Sequence, residues 1–419
     1  MFGAGLLPPI PTPPAPELDP KAVVTQEAGI TAPNRKTPRV EMVVEEGATV
    51  AQGAPLARLR HAPEIQFVAP MPCRLGRANL LPGRRLSELV VYQEPGGNIV
   101  EHKTTTAKSR SGLRVLLQRA GFWQRIERRP FGGMPAADEH PAAIFVMAAD
   151  TRPLAPDPQR ALAGREEDFV RGLKELEKLT DGPIFLCQTR TSKLKLDWSK
   201  SDRLRHIESG PRHPQGSPGL QIHAHYPAEI NRPVWDIHAE DVASLGTLME
   251  TGQLPMNRHV TVAGPMLNET RHLKTQIGAD LRELTQGVAK RAPHVLLSGS
   301  PIDGHIAHWL APRDRQISVL PAKTAAPTKH WLIAALTRSG QTNPVIPTAA
   351  LTQSFGNALP AAMYIRALSS GDDESLLKLG GLSLLPEDLA LADYVLGGEA
   401  HIAGMHGTML DRIQEEYAP

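Results

Sequence analysis

The sequence predicts a mixed α/β, multidomain fold, and three observations carry that expectation. Residues 40–95 hold short apolar segments that alternate with polar positions and are cut by Gly and Pro, the pattern of a small all-β unit. Residues 142–188 hold two continuous apolar runs on either side of an amphipathic stretch, the pattern of a β-α-β step in a parallel sheet. Beyond residue 340 the chain reads as helix and loop.

The length of 419 residues suggests two to four domains at roughly 100–200 residues each. An apolar content of 41% supports real cores, and 35 Gly with 39 Pro predict many turns rather than long coiled coils or solenoids.

Taken in order, the first unit is a Pro-rich N-terminal arm, 1–39, with seven prolines between Pro8 and Pro20. Such an arm is extended, and either hangs free or lies across a partner or its own domain. In the second unit, 40–100, Val40, Met42 and Val44 alternate, Gly47 and Gly53 turn the chain, and Phe67–Pro70 leads into Leu75. Its strings at 45–56 and 68–70 resemble the lipoyl-like barrel-sandwich hybrid. A carrier domain needs a hairpin lysine, and His61-Ala62-Pro63-Glu64 has none.

The third unit, 101–255, opens on a basic stretch. Lys103, Lys108, Arg110, Arg114, Arg119, Arg125, Arg128 and Arg129 face only Glu101 and Glu127. That is a solvated face, a docking surface for an acidic partner or anionic headgroups, or a nucleotide phosphate site. Ala143–Ala148 reads as a buried strand, and Asp157-Pro158 caps a helix running to Leu179 through Phe169, Leu173 and Leu176. Pro183–Cys187 is the next strand, with Cys187 as buried filler. A Gly- and Pro-rich loop with a histidine cluster is expected at 208–225, and a helix at Ala239–Gly252. A small mixed β/α unit follows at 256–325. The last unit, 326–419, is mostly helical, with helices at Lys329–Arg338 and Met405–Glu416.

Several function classes are excluded or weakened. A formal charge of +2 gives no case for nucleic acid. Cys73 and Cys187 make neither a four-thiolate cluster nor a disulfide framework. The longest apolar run, Ala142–Ala149, is far short of the roughly 20 residues of a membrane span. His206, His213, His223 and His225 are the metal candidates, but 223 and 225 share a face only on a strand, and no third ligand stands at a diagnostic spacing. No dinucleotide, P-loop or nucleophile-elbow motif occurs, and Ser298-Gly299-Ser300 with Asp303 completes no triad. No catalytic residue and no metal ligand emerges.

Longer strings point further. V-V-E-E-G-A-T-V-A-Q-G-A-P-L (43–56), A-G-F-W (120–123), R-R-P-F (128–131), I-F-V-M-A-A-D-T-R-P-L-A-P-D-P (144–158), L-T-D-G-P-I-F-L-C-Q (179–188), V-W-D-I-H-A-E-D-V-A-S-L-G (234–246), I-G-A-D-L-R-E-L-T (277–285) and P-E-D-L-A-L (386–391) run in one order along the chain. They resemble the NqrA family, a subunit family of the sodium-translocating NADH:quinone oxidoreductase. That family is related to the C subunit of the Rnf complex and to the flavin-binding subunit of complex I.

The resemblance implies a barrel-sandwich hybrid, a Rossmann-like α/β domain, a β-grasp-like domain and a C-terminal helical part. It implies a peripheral subunit on the cytoplasmic side of the inner membrane. Its partners would be other subunits of a membrane redox complex, above all a quinone-site membrane subunit. It implies no covalently bound cofactor, and quinone at a subunit interface. Trp123, Phe131, His223, Trp235 and His238 are the quinone or interface candidates. Flavin-binding relatives place small residues where this chain has Trp123 and Arg125, and the bulk is expected to fill the flavin space. Ala392 and Leu396 stand where the family carries cysteines. That departure keeps open an alternative role as docking subunit of a different membrane redox complex.

Overall fold

The computed structural model describes residues 4–16, 19–32, 37–192, 194, 201–322, 348–398 and 401–417. The helix expected at Lys329–Arg338 lies outside them. The start of the chain lies across its own body. Leu6 and His213 exchange two backbone hydrogen bonds, at 2.7 and 3.0 Å. The Thr12 hydroxyl accepts from Gly264 N, and Pro13 O accepts from the Thr270 hydroxyl.

Residues 21–31, read from sequence as part of the arm, instead form β1 (Lys21–Ala22) and β2 (Glu27–Thr31) of two different sheets. Ala28 and Ile30 are buried there, and at Gly29 a Cβ would collide with the Trp309 ring. The polar residues around this short apolar pair hide its strand signal.

The following elements are β3 (Val40–Met42), β4 (Thr49–Val50), β5 (Pro55–Leu59), β6 (Gln66–Val68), β7 (Cys73–Leu81) and β8 (Arg85–Gln93). They form two antiparallel sheets, β3-β5-β6 and β2-β8-β7-β4. Val40, Leu56, Phe67, Leu75 and Val91 point into their shared core. The period-2 alternation of the sequence is what turns these side chains inward.

Next come α1 (Arg110–Arg119), β9 (Glu127–Arg129), β10 (Ala143–Ala148), α2 (Pro158–Leu162), α3 (Glu166–Leu179), β11 (Ile184–Thr189), β12 (Leu204–Ser209), α4 (Pro218–His225), β13 (Val234–His238) and α5 (Ala239–Thr251). The sheet order is β12-β11-β10-β13-β9. All neighbours are parallel except β9, which runs antiparallel to β13. Strand β10 is buried on both faces, which is why its sequence is apolar without alternation. Ile144, Val146 and Ala148 pack with Phe169, Leu173, Val242 and Leu245 of α3 and α5. Ala143, Phe145 and Met147 pack on the other side with Ile222 of α4.

Two expectations are corrected here. The helix from Pro158 to Leu179 is broken into α2 and α3 at Gly164, which adopts φ +75°. The histidine-rich stretch 208–225 is not one loop. It contains the end of β12 and the helix α4, so His223 and His225 project from a helix two residues apart and do not share a face.

The small mixed β/α unit that follows holds β14 (Asn257–Ala263), β15 (Arg271–Gln276), α6 (Leu281–Thr285), β16 (His294–Ser298), β17 (His305–Ile306) and β18 (Gln316–Pro321). Its sheet, β1-β15-β14-β18-β16-β17, takes in the early strand β1. Val260, Val262, Leu281, Leu310 and Ile317 fill its core. The C-terminal part packs helices Ala349–Ser354, Ala361–Ser370, Asp373–Lys378, Ala390–Val395 and Ile402–Tyr417 around Phe355, Tyr364, Leu376 and Leu410. Among the described residues no helix is long and apolar enough to cross a membrane.

Candidate functional site

From β10 the chain passes to β11 on one side and returns to β13 on the other. In open α/β sheets, ligands bind outside the carboxyl ends of the strands at such a reversal of strand order. A cleft of about 740 Å³ lies there. Its walls come from all along the chain: Thr31 and Glu88, then Asp150 and His238, then Asp303 and Arg315, and finally Leu385 and Glu387.

A phosphate-binding turn after β10 needs glycines, so that backbone N–H groups can approach the ligand. The stretch from Ala149 to Asp157 has none. Asp150 instead takes both the backbone N–H and the guanidinium of Arg152, which also reaches Asp303 at 3.3 Å. Burial works against the Asp150 charge, but Arg152 holds its pKa below the usual carboxylate range. Asp157 caps α2 by accepting from Gln159 N, as its place before Pro158 suggests.

The second anion-seeking position is the amino end of α5, where the helix dipole favours negative charge. The chain's own carboxylates take it. His238 Nδ1 accepts from Glu240 N at 3.1 Å. Glu240 accepts from the backbone N–H of His259 at 2.8 Å, pairs with its ring at 2.9 Å, and accepts from Arg315 Nε at 2.9 Å. Asp241 pairs with Arg315 and, at 3.3 Å, with Arg125. Burial opposes both charges, yet His259 and Arg315 bring Glu240 down to about 2, and Arg315 with Arg258 puts Asp241 well below its usual range. Burial and Arg315 push His238 down to about 3, so its ring is neutral.

A third cluster fastens the C-terminal part to this edge. Buried Arg129 pairs with Asp236 and, at 3.2 Å, with Asp388. Asp388 also accepts from the Ser217 hydroxyl, from Gly219 N at 3.0 Å and from Leu385 N at 2.8 Å. Any Cβ at Gly219 would collide with the Asp388 carboxylate.

Of the five sequence candidates, Phe131 and His238 line the cleft. Phe131 sits at φ 78° and is followed by two left-handed glycines, Gly132 and Gly133. A non-glycine residue held there stores roughly 1–3 kcal/mol of strain. Trp123 and Trp235 are not cleft residues. Both are fully buried, meeting edge to face at 5.3 Å. Their N–H groups go to Pro135 O and Glu139. Trp123 is thus directed into the core, whereas Arg125 lines the cleft. His223 stands on α4 against Gly380, away from these groups.

The basic stretch is not one exposed face either. Arg114, Arg125 and Arg129 are buried, leaving Lys103, Lys108 and Arg119 as its exposed cations. Among the described residues no group of three His, Cys, Asp or Glu is placed to hold a metal ion. The cleft's ionic clusters were missed because no local motif marks them. Arg129 and Asp388 are 259 positions apart.

Residues 108–254 match the family described as "NqrA second alpha/beta domain", and 259–308 that described as "NQRA C-terminal domain". Over 410 residues the chain is 31% identical to the NqrA protein of the Na(+)-translocating NADH-quinone reductase of Teredinibacter turnerae, covering 90% of each chain. The relative of the same description from Histophilus somni strain 129Pt is 31% identical over 412 residues, covering 90% of this chain and 91% of that one. That of Rhodopirellula baltica is 29% identical over 415 residues, covering 90% and 89%. Among solved structures, a chain of an NAD+-reducing NiFe-hydrogenase is similar at a TM-score of 0.42 and 10% identity, covering 73% of this chain and 63% of that one. A likeness that distant carries no argument.

Proposed function

Because the chain belongs to the NqrA family of the Na+-translocating NADH-quinone reductase, we propose that it is a peripheral subunit of a membrane NADH:quinone oxidoreductase. It assists electron transfer to quinone coupled to Na+ translocation and carries no tightly bound redox cofactor of its own. The observation that carries this reading is the similarity along 90% of both chains. The sheet order and the two small β units fit the Rossmann-like, barrel-sandwich and β-grasp-like domains expected of the family.

The cleft supports the second half of the proposal. Its residues do not fit the phosphate of a flavin mononucleotide or of NADH. The turn after β10 lacks glycine, and Glu240 and Asp241 already occupy the helix end a phosphate would need. Quinone then belongs at an interface with a membrane subunit, and Phe131 and His238 are the sequence candidates that face open space. The peripheral position on the cytoplasmic side follows from the same family reading.

Membranes depleted of this chain test the proposal. NADH-dependent quinone reduction should fall in them and recover when the purified chain is added back. The purified chain alone should show no flavin absorbance and oxidise no NADH. A chain that oxidises NADH by itself with a flavin spectrum overturns the proposal.

A further inference from the structure

The cleft carries more negative charge than its arginines neutralise. Ten carboxylates and five guanidinium groups line it among the described residues. Each of the five arginines already holds a carboxylate. Arg125 is on Asp241, Arg129 on Asp236 and Asp388, Arg152 on Asp150 and Asp303, Arg313 on Glu127, and Arg315 on Glu240 and Asp241. Among the described residues that leaves Glu88, held by Trp309 and Asn79, together with Asp314 and Glu387, without an arginine. Glu387 is exposed at the cleft surface and makes no ion pair among the described residues; desolvation and the charges of Glu127 and Asp388 push its pKa up to about 8, so it holds its proton near neutral pH until a cation comes to its side. Asp314 is held by a hydroxyl, Ser298 Oγ at 2.5 Å, rather than by a cation.

Two further features point to an occupant. His213 is 2% exposed and lines the cleft, its Nδ1 is engaged with the Thr151 hydroxyl at 3.3 Å, and its Nε2 has no partner. A buried ring nitrogen left without a partner is uncommon in a finished interior and marks a place for one more polar group. At the rim, β17 is the last strand of its sheet. It pairs with β16 and leaves its outer edge open, with Ile306 74% exposed. An open strand edge is where an extended peptide adds by backbone hydrogen bonding, with side-chain pockets giving specificity.

We propose that this cleft receives an extended, lysine-bearing segment of a partner polypeptide, laid along the open edge of β17 with its ammonium groups against Glu387 and the neighbouring carboxylates. The inference rests on the subunit reading above. Charge complementarity chooses the occupant. An anionic ligand meets a surplus of carboxylates in a sheltered space, where screening by salt is weak. A free diffusible amine would satisfy the charge but leave the β17 edge and Ile306 uncovered, whereas a polypeptide segment covers all three features.

Zero-length carbodiimide coupling of the detergent-solubilised complex, followed by peptide mass spectrometry, tests this. Glu387 is expected to join a lysine of another subunit. Glu387→Gln should remove that cross-link while leaving those at other carboxylates of the chain, since the amide keeps the shape of a side chain that makes no ion pair among the described residues. The variant chain should also be stripped from the complex at lower salt than the wild type. Partner cross-links elsewhere on the chain but none at Glu387 overturn the inference and leave the subunit reading intact. Coupling of Glu387 only to added spermidine, or only to a second copy of this chain, overturns it equally. Recovery of the chain without any partner subunit overturns the subunit reading itself.

Discussion

At Arg315 one guanidinium answers two carboxylates, Glu240 and Asp241, and all three side chains are buried. Removing it leaves charge without its main partner in the interior. Arg315→Met should therefore destabilise the protein by about 3–5 kcal/mol, read as a lower urea midpoint at neutral pH. His213 and His238 make a second prediction. Burial lowers them to about 4 and about 3. A histidine whose pKa is lower in the folded than in the unfolded chain takes up a proton on unfolding, so its contribution is complete above about pH 6.5 and is lost as pH falls toward the folded value. Stability should fall between pH 6.5 and 4 by up to roughly 1.4 kcal/mol per pH unit for each ring. His213→Gln should remove about one proton's worth of that slope in denaturation curves taken across the range. Glu240, lowered to about 2, acts in a more acidic window. Its contribution is complete above about pH 4.5 and is lost only as pH falls toward 2. None of these partnerships was legible in the sequence, because Arg129 and Asp236, or Arg315 and Asp241, meet only after the sheets have packed. Trp123 and Trp235 stand out in the sequence as quinone or interface candidates, but their burial against each other is not legible there.

Helices α3 and α5 pack with almost no room between them. A Cβ at Gly172 would collide with Val242 O, and one at Gly246 with Asp168 O. These contacts are with backbone, which cannot swing aside. Gly172→Ala should cost roughly 1–3 kcal/mol through overpacking. Gly404→Ala should do the opposite. It lies in the helix Ile402–Tyr417 with open space around its Cβ position, and should stabilise by up to about 1 kcal/mol through helix propensity. Opposite shifts in melting temperature check the pair. At this scale much was readable. The apolar periodicity found β10, α3 and α5. It missed α4, although Ser217-Pro218 is an ordinary helix start, because the surrounding Gly and Pro residues read as loop. It missed β1 and β2 because each depends on a strand far along the chain, Lys21 pairing with Leu273 and Glu27 with Tyr92.

In the whole molecule, segments from all along the chain bring their edges to one cleft, and the charged residues among them set its character. The family resemblance was legible in strings spread along the chain, and the similarity to relatives over 90% of both lengths agrees with it. The cleft itself was not legible, since it exists only where the strand ends of one sheet meet the turns of another and the C-terminal helices. The central claim is that this chain works as one member of a complex, beside redox centres held by others. The most direct test is a mild-detergent pull-down of the chain from its native membranes, with identification of the co-purified subunits and an optical spectrum of the eluate. Recovery with the remaining subunits of an NADH:quinone oxidoreductase, with the flavin signal absent from the chain once it is separated, is the expected result. Recovery with a different redox complex, or of the chain alone with its own flavin, would contradict the account.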